Sequence, residues 1–449
     1  MVGFLNAARA DTLLEAMIMA YQNNPTLQAE RANLRASDEA VPQALSGWRP
    51  NVAIVGSGGY NASSGTGVAG VKQRGLYSGD LQVTQNIYSG GGTVADVKRA
   101  ENTVRAARAR LGITEQGVLL NAVQAYLNVY RDQSVVQLNI NNERVLSRQL
   151  EATRDRFNVG EVTRTDVSQA EARLASARAS RVQAEGALQI SRGVYEQIIG
   201  KLPENLAKPD AVKRLPTSRQ GTIDAARKEN PSVLAADYDE RAARDNVSVV
   251  ESDLLPKVDI VGTGGRSVNQ FSPGTTSDAG SIMAQLTVPL YQRGSVSSQV
   301  RQAKQVVGRN RLLLIEAERS ATEQAVNAWE SLVSARAQIQ SLNAAVRSNR
   351  IALEGVRQES LVGSRTVLDV LDAEQELLNS EVNLVSAERD EIVAQYQVLS
   401  AIGQLTAQSL SLNTQYYDPE HHYKAVRDKL WGLGDDAGTT EGKPSDNKK

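Results

Sequence analysis

The chain has 449 residues, of which only 4% are aromatic, and a formal net charge of −1. Its length would ordinarily mean two or three domains, but it holds too few large side chains for compact cores of that size, and its charge gives no pull toward nucleic acid. The absence of cysteine excludes disulfides, thiolate metal sites, thiol nucleophiles and a lipidated N-terminal cysteine.

At the N-terminus, Ala8-Arg9-Ala10 has the small-x-small form of a signal-peptidase site and follows the short apolar stretch Val2 to Leu5. Residues 1–10 are read as the remnant of a secretory signal, with Asp11 as the first mature residue. Residues 12–46 have a helical pattern, capped by Asp11-Thr12 and ending before Trp48-Arg49-Pro50.

A β-hairpin follows, with strands at about 50–60 and 76–88. In the returning strand Tyr77, Gly79, Leu81, Val83, Gln85 and Ile87 alternate with Ser78, Asp80, Gln82, Thr84, Asn86 and Tyr88. One face is therefore mostly apolar and the other polar, as in a membrane strand between lipid and lumen or in a half-buried soluble sheet. Nowhere is there an apolar run of the roughly 18 residues that a membrane helix needs, so any membrane crossing falls to strands.

From Gly90-Gly91-Gly92 to about Arg156 the pattern is helical and free of proline. At 1.5 Å per residue this is roughly 100 Å, too long for a compact domain. Val97, Ala100, Val104, Ala107, Leu111, Val118, Ala122 and Ala125 keep the three-four spacing of a coiled-coil seam. Phe157-Asn158-Val159-Gly160 breaks the helix, and a second one from Thr165 to about Ile199 returns antiparallel.

The chain then repeats itself. Asn24-Pro25 recurs as Asn230-Pro231, and the run Pro50 to Gly59 as Pro256 to Gly265, both at an offset of 206. Beyond a shorter hairpin loop the offset is 203. It carries Leu81 to Tyr88 onto Ala284 to Tyr291, Val159-Gly160 onto Val362-Gly363, and Ile199-Gly200 onto Ile402-Gly403. Proline, glycine and aspartate punctuation in register means two copies of one unit: helix, hairpin, very long helix, tight turn, return helix. The copies are assigned to 11–205 and 206–412, with the second hairpin at about 256–268 and 280–291, and 413–449 as a polar, disordered tail. Two hairpins supply four strands, too few to close a barrel in lipid, so a membrane barrel needs several chains.

Enzyme chemistry finds little support. Gly65-Thr66-Gly67-Val68-Ala69-Gly70 spells the dinucleotide fingerprint, but it lies in a hairpin loop without the following helix that would receive a pyrophosphate. Ser272-Pro273-Gly274 marks the equivalent tip in the second copy. His421 and His422, the only histidines, lie in the tail with no third ligand at a fixed spacing. No catalytic residue, cofactor or metal is therefore assigned.

Two acids sit at equivalent turns: Asp166 three residues after Thr163, and Asp369 three after Thr366. That is the spacing of a capping box. Asp372 and Arg365 are different, because their repeat counterparts are Gln169 and Val162. The turn forms without either charge, so their presence in one copy asks for another reason. Asp369 and Asp372 also share a helix face, where like charges repel.

The duplicated unit, the turn Arg156-Phe157-Asn158-Val159-Gly160 with Thr165-Asp166, and the run Val362-Gly363-Ser364-Arg365-Thr366-Val367-Leu368-Asp369-Val370-Leu371-Asp372-Ala373 resemble the TolC family of outer-membrane channels over about residues 11–412. The resemblance implies a mixed α/β membrane protein, a homotrimer building a 12-stranded β-barrel in outer-membrane lipid on a long α-helical barrel in the periplasm. It implies a passive exit duct for efflux or type I secretion. The implied partners are an inner-membrane RND or ABC transporter and a periplasmic membrane-fusion adaptor, with no nucleic acid. It also implies that Asp369 and Asp372 form acidic rings at a periplasmic gate, with Arg365 latched to Thr165 and Asp166. Ser360 stands where prominent members have a tyrosine reaching the turn aspartate, so a looser closed state is expected. The alternative is a coiled-coil surface or structural protein without a pore.

Overall fold

The computed structural model describes residues 11–63, 72–209, 212, 215–270 and 274–434. The signal remnant at 1–10, the glycine-rich fingerprint at 65–70, Ser272-Pro273 and residues 435–449 lie outside the described residues.

Three helices open the first copy: α1 (Leu13–Asn23), α2 (Pro25–Asp38) and α3 (Ala40–Leu45). The single helix expected over 12–46 is interrupted at Asn24, whose extended backbone caps α2 just before Pro25. Proline lacks the N–H that a continuous helix would use and is favoured at the first helical position. At the start of α1, Thr12 and Glu15 form a reciprocal capping box. The second copy opens with α6 (Arg219–Glu229) and α7 (Pro231–Glu251), separated by Asn230 and Pro231 in the same way.

The hairpins are β1 (Asn51–Ser63) with β2 (Lys72–Ser89), and β3 (Lys257–Val268) with β4 (Thr276–Thr287). They join into one antiparallel sheet of order β1-β2-β3-β4, so β1 and β4 are its two open edges. The register aligns Val52, Val83, Gly262 and Ile282 in one cross-strand row and Ala53, Gln82, Thr263 and Ser281 in the next. Because side chains alternate between faces, one face collects Val52, Ile54, Leu81, Val83 and Ile282. The other collects Ser57, Ser78, Gln82, Thr263 and Ser281, with hydroxyl pairs at 2.8 Å between Ser57 and Ser78 and between Thr263 and Ser281.

Two expectations about the strands are corrected. β4 stops at Thr287 rather than reaching 291, because Pro289 has no N–H for the ladder. A register shift between Asn86 and Tyr88 leaves Ile87 unpaired against β3, so the alternation predicted through Tyr88 breaks there.

The long helices α4 (Gly92–Asn158) and α8 (Ser295–Leu361) have 67 residues each, about 100 Å at 1.5 Å per residue. Each folds back on a return helix, α5 (Arg164–Ile199) or α9 (Val367–Ala401). The predicted seam is the packed one: Ala100, Val104, Ala107, Leu111, Val118, Ala122 and Ala125 are all buried. Small residues let the helix axes approach closely without aromatic filling, which accounts for the low aromatic content. The largest core lies where α1 and α2 pack on the middle of α4 and the ends of α5 and α9, around Met17, Leu27, Leu119, Tyr126, Tyr195 and Leu405. Tyr126 Oη reaches the carbonyls of Asp11 (2.8 Å) and Ala207 (2.6 Å), tying the start of the first copy to the linker between copies.

The expected disordered tail is also corrected over 413–434. The segment crosses the first copy and includes a short helix, α10 (His421–Val426). The Tyr417 N–H donates to Tyr21 Oη at 3.0 Å, and the Arg31 guanidinium lies 4.5 Å from the Tyr21 ring centroid and 5.1 Å from that of Tyr417. His422 is buried with its Nδ1 3.2 Å from Asp38 Oδ2, and Arg49 Nη1 donates to the Lys429 carbonyl at 2.8 Å. Composition concealed this because a few contacts to aromatic and charged side chains, on α1, α2 and at Arg49, hold a mostly polar segment.

Candidate functional site

The tips of the two helix hairpins carry every residue singled out for gating. Each turn uses a left-handed glycine, Gly160 at φ +81° and Gly363 at φ +77°, a conformation that costs an L side chain about 1–2 kcal/mol. After each glycine a threonine starts the return helix. Thr163 N–H and Oγ1 donate to Asp166 Oδ2 at 2.8 and 2.7 Å, while Asp166 N–H returns a bond to Thr163 Oγ1 at 3.3 Å. Thr366 and Asp369 repeat this at 2.9, 2.8 and 3.2 Å. The spacing therefore predicted both capping boxes correctly.

The caps have an electrostatic consequence. The backbone N–H of Thr366, followed by its hydroxyl, holds the Asp369 carboxyl below the usual carboxylate range. One of its oxygens is committed to the turn.

Arg365 does not pair with Thr165 or Asp166 within one chain. Its Nε donates to Glu359 Oε2 at 2.9 Å, closing its own turn, and that bond raises the arginine's pKa. In the first copy Arg156 Nε bonds Glu161 Oε2 at 3.1 Å. Each turn thus contains one arginine–glutamate pair with the polarity reversed: the arginine ends the helix in one copy and follows the glycine in the other. Asp166 is occupied by Thr163, Thr165 is exposed, and Ser360 is buried beneath the second turn.

Asp372 is exposed and ion-paired with Arg173 of α5, in the other copy. The sequence reading missed Arg173 and Glu359. A signal was available: the repeat counterpart of Arg173 is Glu376, and that of Glu359 is Arg156, charge reversals as informative as the loss of charge noted at the counterpart of Asp372. Nearby, Arg154 bonds Glu171 at 2.6 Å and the equivalent Arg357 bonds Glu374, clamping long helix to return helix in both copies.

Higher up, α4 and the pair α8–α9 leave a groove of about 480 Å³ lined by Tyr130, Leu138, Arg350 and Glu381. Among the described residues no helix is long and apolar enough to cross a membrane.

An open four-stranded sheet, apolar on one face, set on two duplicated helix hairpins with charged tips defines the architecture of outer-membrane channel subunits. The chain belongs to the family described as outer membrane efflux protein, whose model matches residues 17–201 and 222–404, one span in each copy. It is 36% identical to the outer membrane efflux protein BepC of Brucella suis over 95% of this chain and 93% of that one. It is 31% identical to the outer membrane protein TolC of Vibrio cholerae over 90% and 93%. The crystal structure of the Campylobacter jejuni CmeC outer membrane channel shares its fold, with a TM-score of 0.79 at 17% identity over 87% of this chain and 85% of that one. The protein is a periplasm-spanning outer-membrane protein and not an enzyme.

Proposed function

We propose that the chain is one protomer of a homotrimeric, passive exit duct serving an efflux pump or a type I secretion system. One observation carries this reading: the four strands form an open sheet with two free edges and an apolar face. Lipid cannot satisfy free strand edges. Three copies, joined edge to edge, give a closed 12-stranded barrel that leaves no edge unpaired. Lipid then meets Val52, Ile54, Leu81 and Ile282, and water meets Ser78, Gln82, Thr263 and Ser281. A pore-free coiled-coil protein has no use for that division.

Energy comes from an inner-membrane RND or ABC transporter, joined by a periplasmic membrane-fusion adaptor, a reading supported by the likeness to outer-membrane efflux proteins. The groove beside Tyr130 and Arg350, between α4 and the pair α8–α9, is where such an adaptor docks. At the periplasmic end Asp369 and Asp372 form the acidic constriction. Arg365, Thr165, Asp166 and Ser360 form the latch, with Arg365 exchanging its Glu359 partner for Thr165 and Asp166 when tips meet in the trimer.

Reconstitution in planar bilayers tests the reading. Discrete single-channel currents from a trimeric species are expected, with a higher resting conductance in Arg365→Ser and a lower one in Ser360→Tyr. A stable detergent-solubilised monomer, or a trimer that conducts nothing, defeats the proposal.

A further inference from the structure

The segment that follows the second copy climbs the first copy toward the sheet. Arg108 of α4 pairs with Glu420 at 3.3 Å, the Tyr423 ring packs on Val41, Ala44, Ala100 and Val104, and Arg427 pairs with Glu101 at 3.3 Å. These contacts move along α4 toward its sheet-bearing end. The next one, from Arg49 to the Lys429 carbonyl at 2.8 Å, is made two residues before β1 begins. The repeat counterpart of Arg49 is Leu255, so only the first copy holds the segment in this way.

Beyond Lys429 the chain is apolar and uncovered. Leu430 and Trp431 are 75% and 90% exposed, and Leu433 is fully so. Gly432, left-handed at φ +120°, makes a bend, and Lys429 Nζ donates to the Gly434 carbonyl at 3.1 Å. The backbone therefore closes on itself while the apolar side chains project. Exposed aromatic side chains mark the same level of the sheet: Trp48 just before β1, Tyr88 near the end of β2 and Tyr291 just past β4. Tryptophan and tyrosine gather where a membrane meets water, with the ring among acyl chains and the N–H or O–H among headgroups. An apolar bend fixed beside that belt is continuous with the apolar face that starts at Val52 and Ile54.

We propose that Leu430, Trp431 and Leu433 form a membrane anchor seated in the phospholipid leaflet on the periplasmic side, held at that depth by Arg49. Each protomer then grips the membrane at the foot of the barrel by a segment outside its four strands. The depth rests on the reading of the sheet as barrel wall. Side chains this exposed, projecting from a bend, suit a fluid partner that closes around them. A folded protein would have to supply a matching cleft within the width of the headgroup layer.

The test uses the full-length trimer in vesicles of phosphatidylethanolamine and phosphatidylglycerol, doped with phosphatidylcholine brominated either near the headgroup or near the acyl ends. Trp48, Trp329 and Trp431 are the only tryptophans, so phenylalanine at two of them isolates the third. With Trp48→Phe and Trp329→Phe, fluorescence from Trp431 is expected to be quenched by bromine near the headgroup severalfold more than that of Trp329 isolated in the same way. Trp329 lies about 50 Å along α8 from the sheet. Quenching of Trp431 by aqueous iodide, with none by brominated lipid, overturns the anchor. So does shielding from both, which would mean that protein covers it. Arg49→Ala is expected to cut lipid quenching of Trp431 severalfold and to raise quenching by iodide; unchanged values overturn the placement by Arg49. The barrel reading fails separately. Ile54→Trp, in a chain with the other tryptophans replaced, is quenched by bromine near the acyl ends if the sheet faces lipid. Its absence removes that reading, while lipid quenching of Trp431 still stands.

Discussion

Asn24 Nδ2 donates to the carbonyl of Ile198 at 3.2 Å, and Asn230 Nδ2 donates to the carbonyl of Ala401 at 3.0 Å, the same bond made once in each copy. Each asparagine also turns its Oδ1 to the next helix, accepting from Thr26 N–H in one case and Ser232 N–H in the other. One side chain therefore starts α2 or α7 and ties it to the end of the return helix, fixing where the coiled coil meets the sheet-bearing region.

Replacing either asparagine by alanine removes a cap and leaves a carbonyl without its partner. Asn230 is the more buried of the two, so Asn230→Ala is expected to cost about 2–3 kcal/mol and Asn24→Ala about 1. Thermal unfolding followed by circular dichroism in detergent measures the difference. Equal losses would show that burial does not separate the two sites.

Gly200 and Gly403 form a second matched pair, at φ +91° and +78°. A Cβ added at Gly200 meets nothing within 4 Å, whereas at Gly403 it falls 2.3 Å from the Glu229 carbonyl oxygen. Both alanine variants carry the left-handed strain of about 1–2 kcal/mol. Only Gly403→Ala must also displace the junction of α6 and α7. Gly200→Ala is expected to assemble normally and Gly403→Ala to lose most of its trimer on semi-native gels; similar yields would refute the steric account.

The cap on Asp369 predicts a pH dependence. Its folded pKa is depressed, so the stability it contributes is present above the unfolded value of about 3.9 and is lost as pH falls through the folded one. Multivalent-cation block is therefore expected to persist from neutral pH down to about pH 5 and to weaken only below about pH 4. Loss of block between those upper values would mean that repulsion among the gathered carboxylates outweighs the caps.

Asp38 has the opposite sign. Burial pushes its carboxyl up, and the hydrogen bond to His422 with the charge of Arg108 offsets only part of this. A raised folded pKa gives stability that is full below the unfolded value and declines as pH rises through the folded one. Protection of residues 413–434 from protease is thus expected to be greater near the unfolded carboxylate pKa of about 3.9 than above the raised folded one, and less pH-dependent in Asp38→Asn. His422→Ala leaves the buried carboxylate short of a partner, costs about 1–3 kcal/mol and exposes the segment throughout. Unchanged digestion of that variant would show that α10 is held by its aromatic contacts alone.

The duplication, the strand alternation, the seam of α4 and the two capping boxes were legible in the sequence because each depends on residues at fixed short spacings or on a repeated register. Thr366 and Asp369 meet through the geometry of one helical turn, whatever surrounds them. Other contacts join residues that no local periodicity relates. His422 reaches Asp38 across most of the chain, Arg173 reaches Asp372 from the other copy, and Arg365 takes Glu359 because the turn bends it back on its own helix. Side-chain reach and competition among several possible partners decide those pairs, and both are settled only when the helices pack. Local spacing therefore determined which elements form and where each turn lies. Tertiary packing decided which charge meets which, and so which hairpins are tied together at the tip.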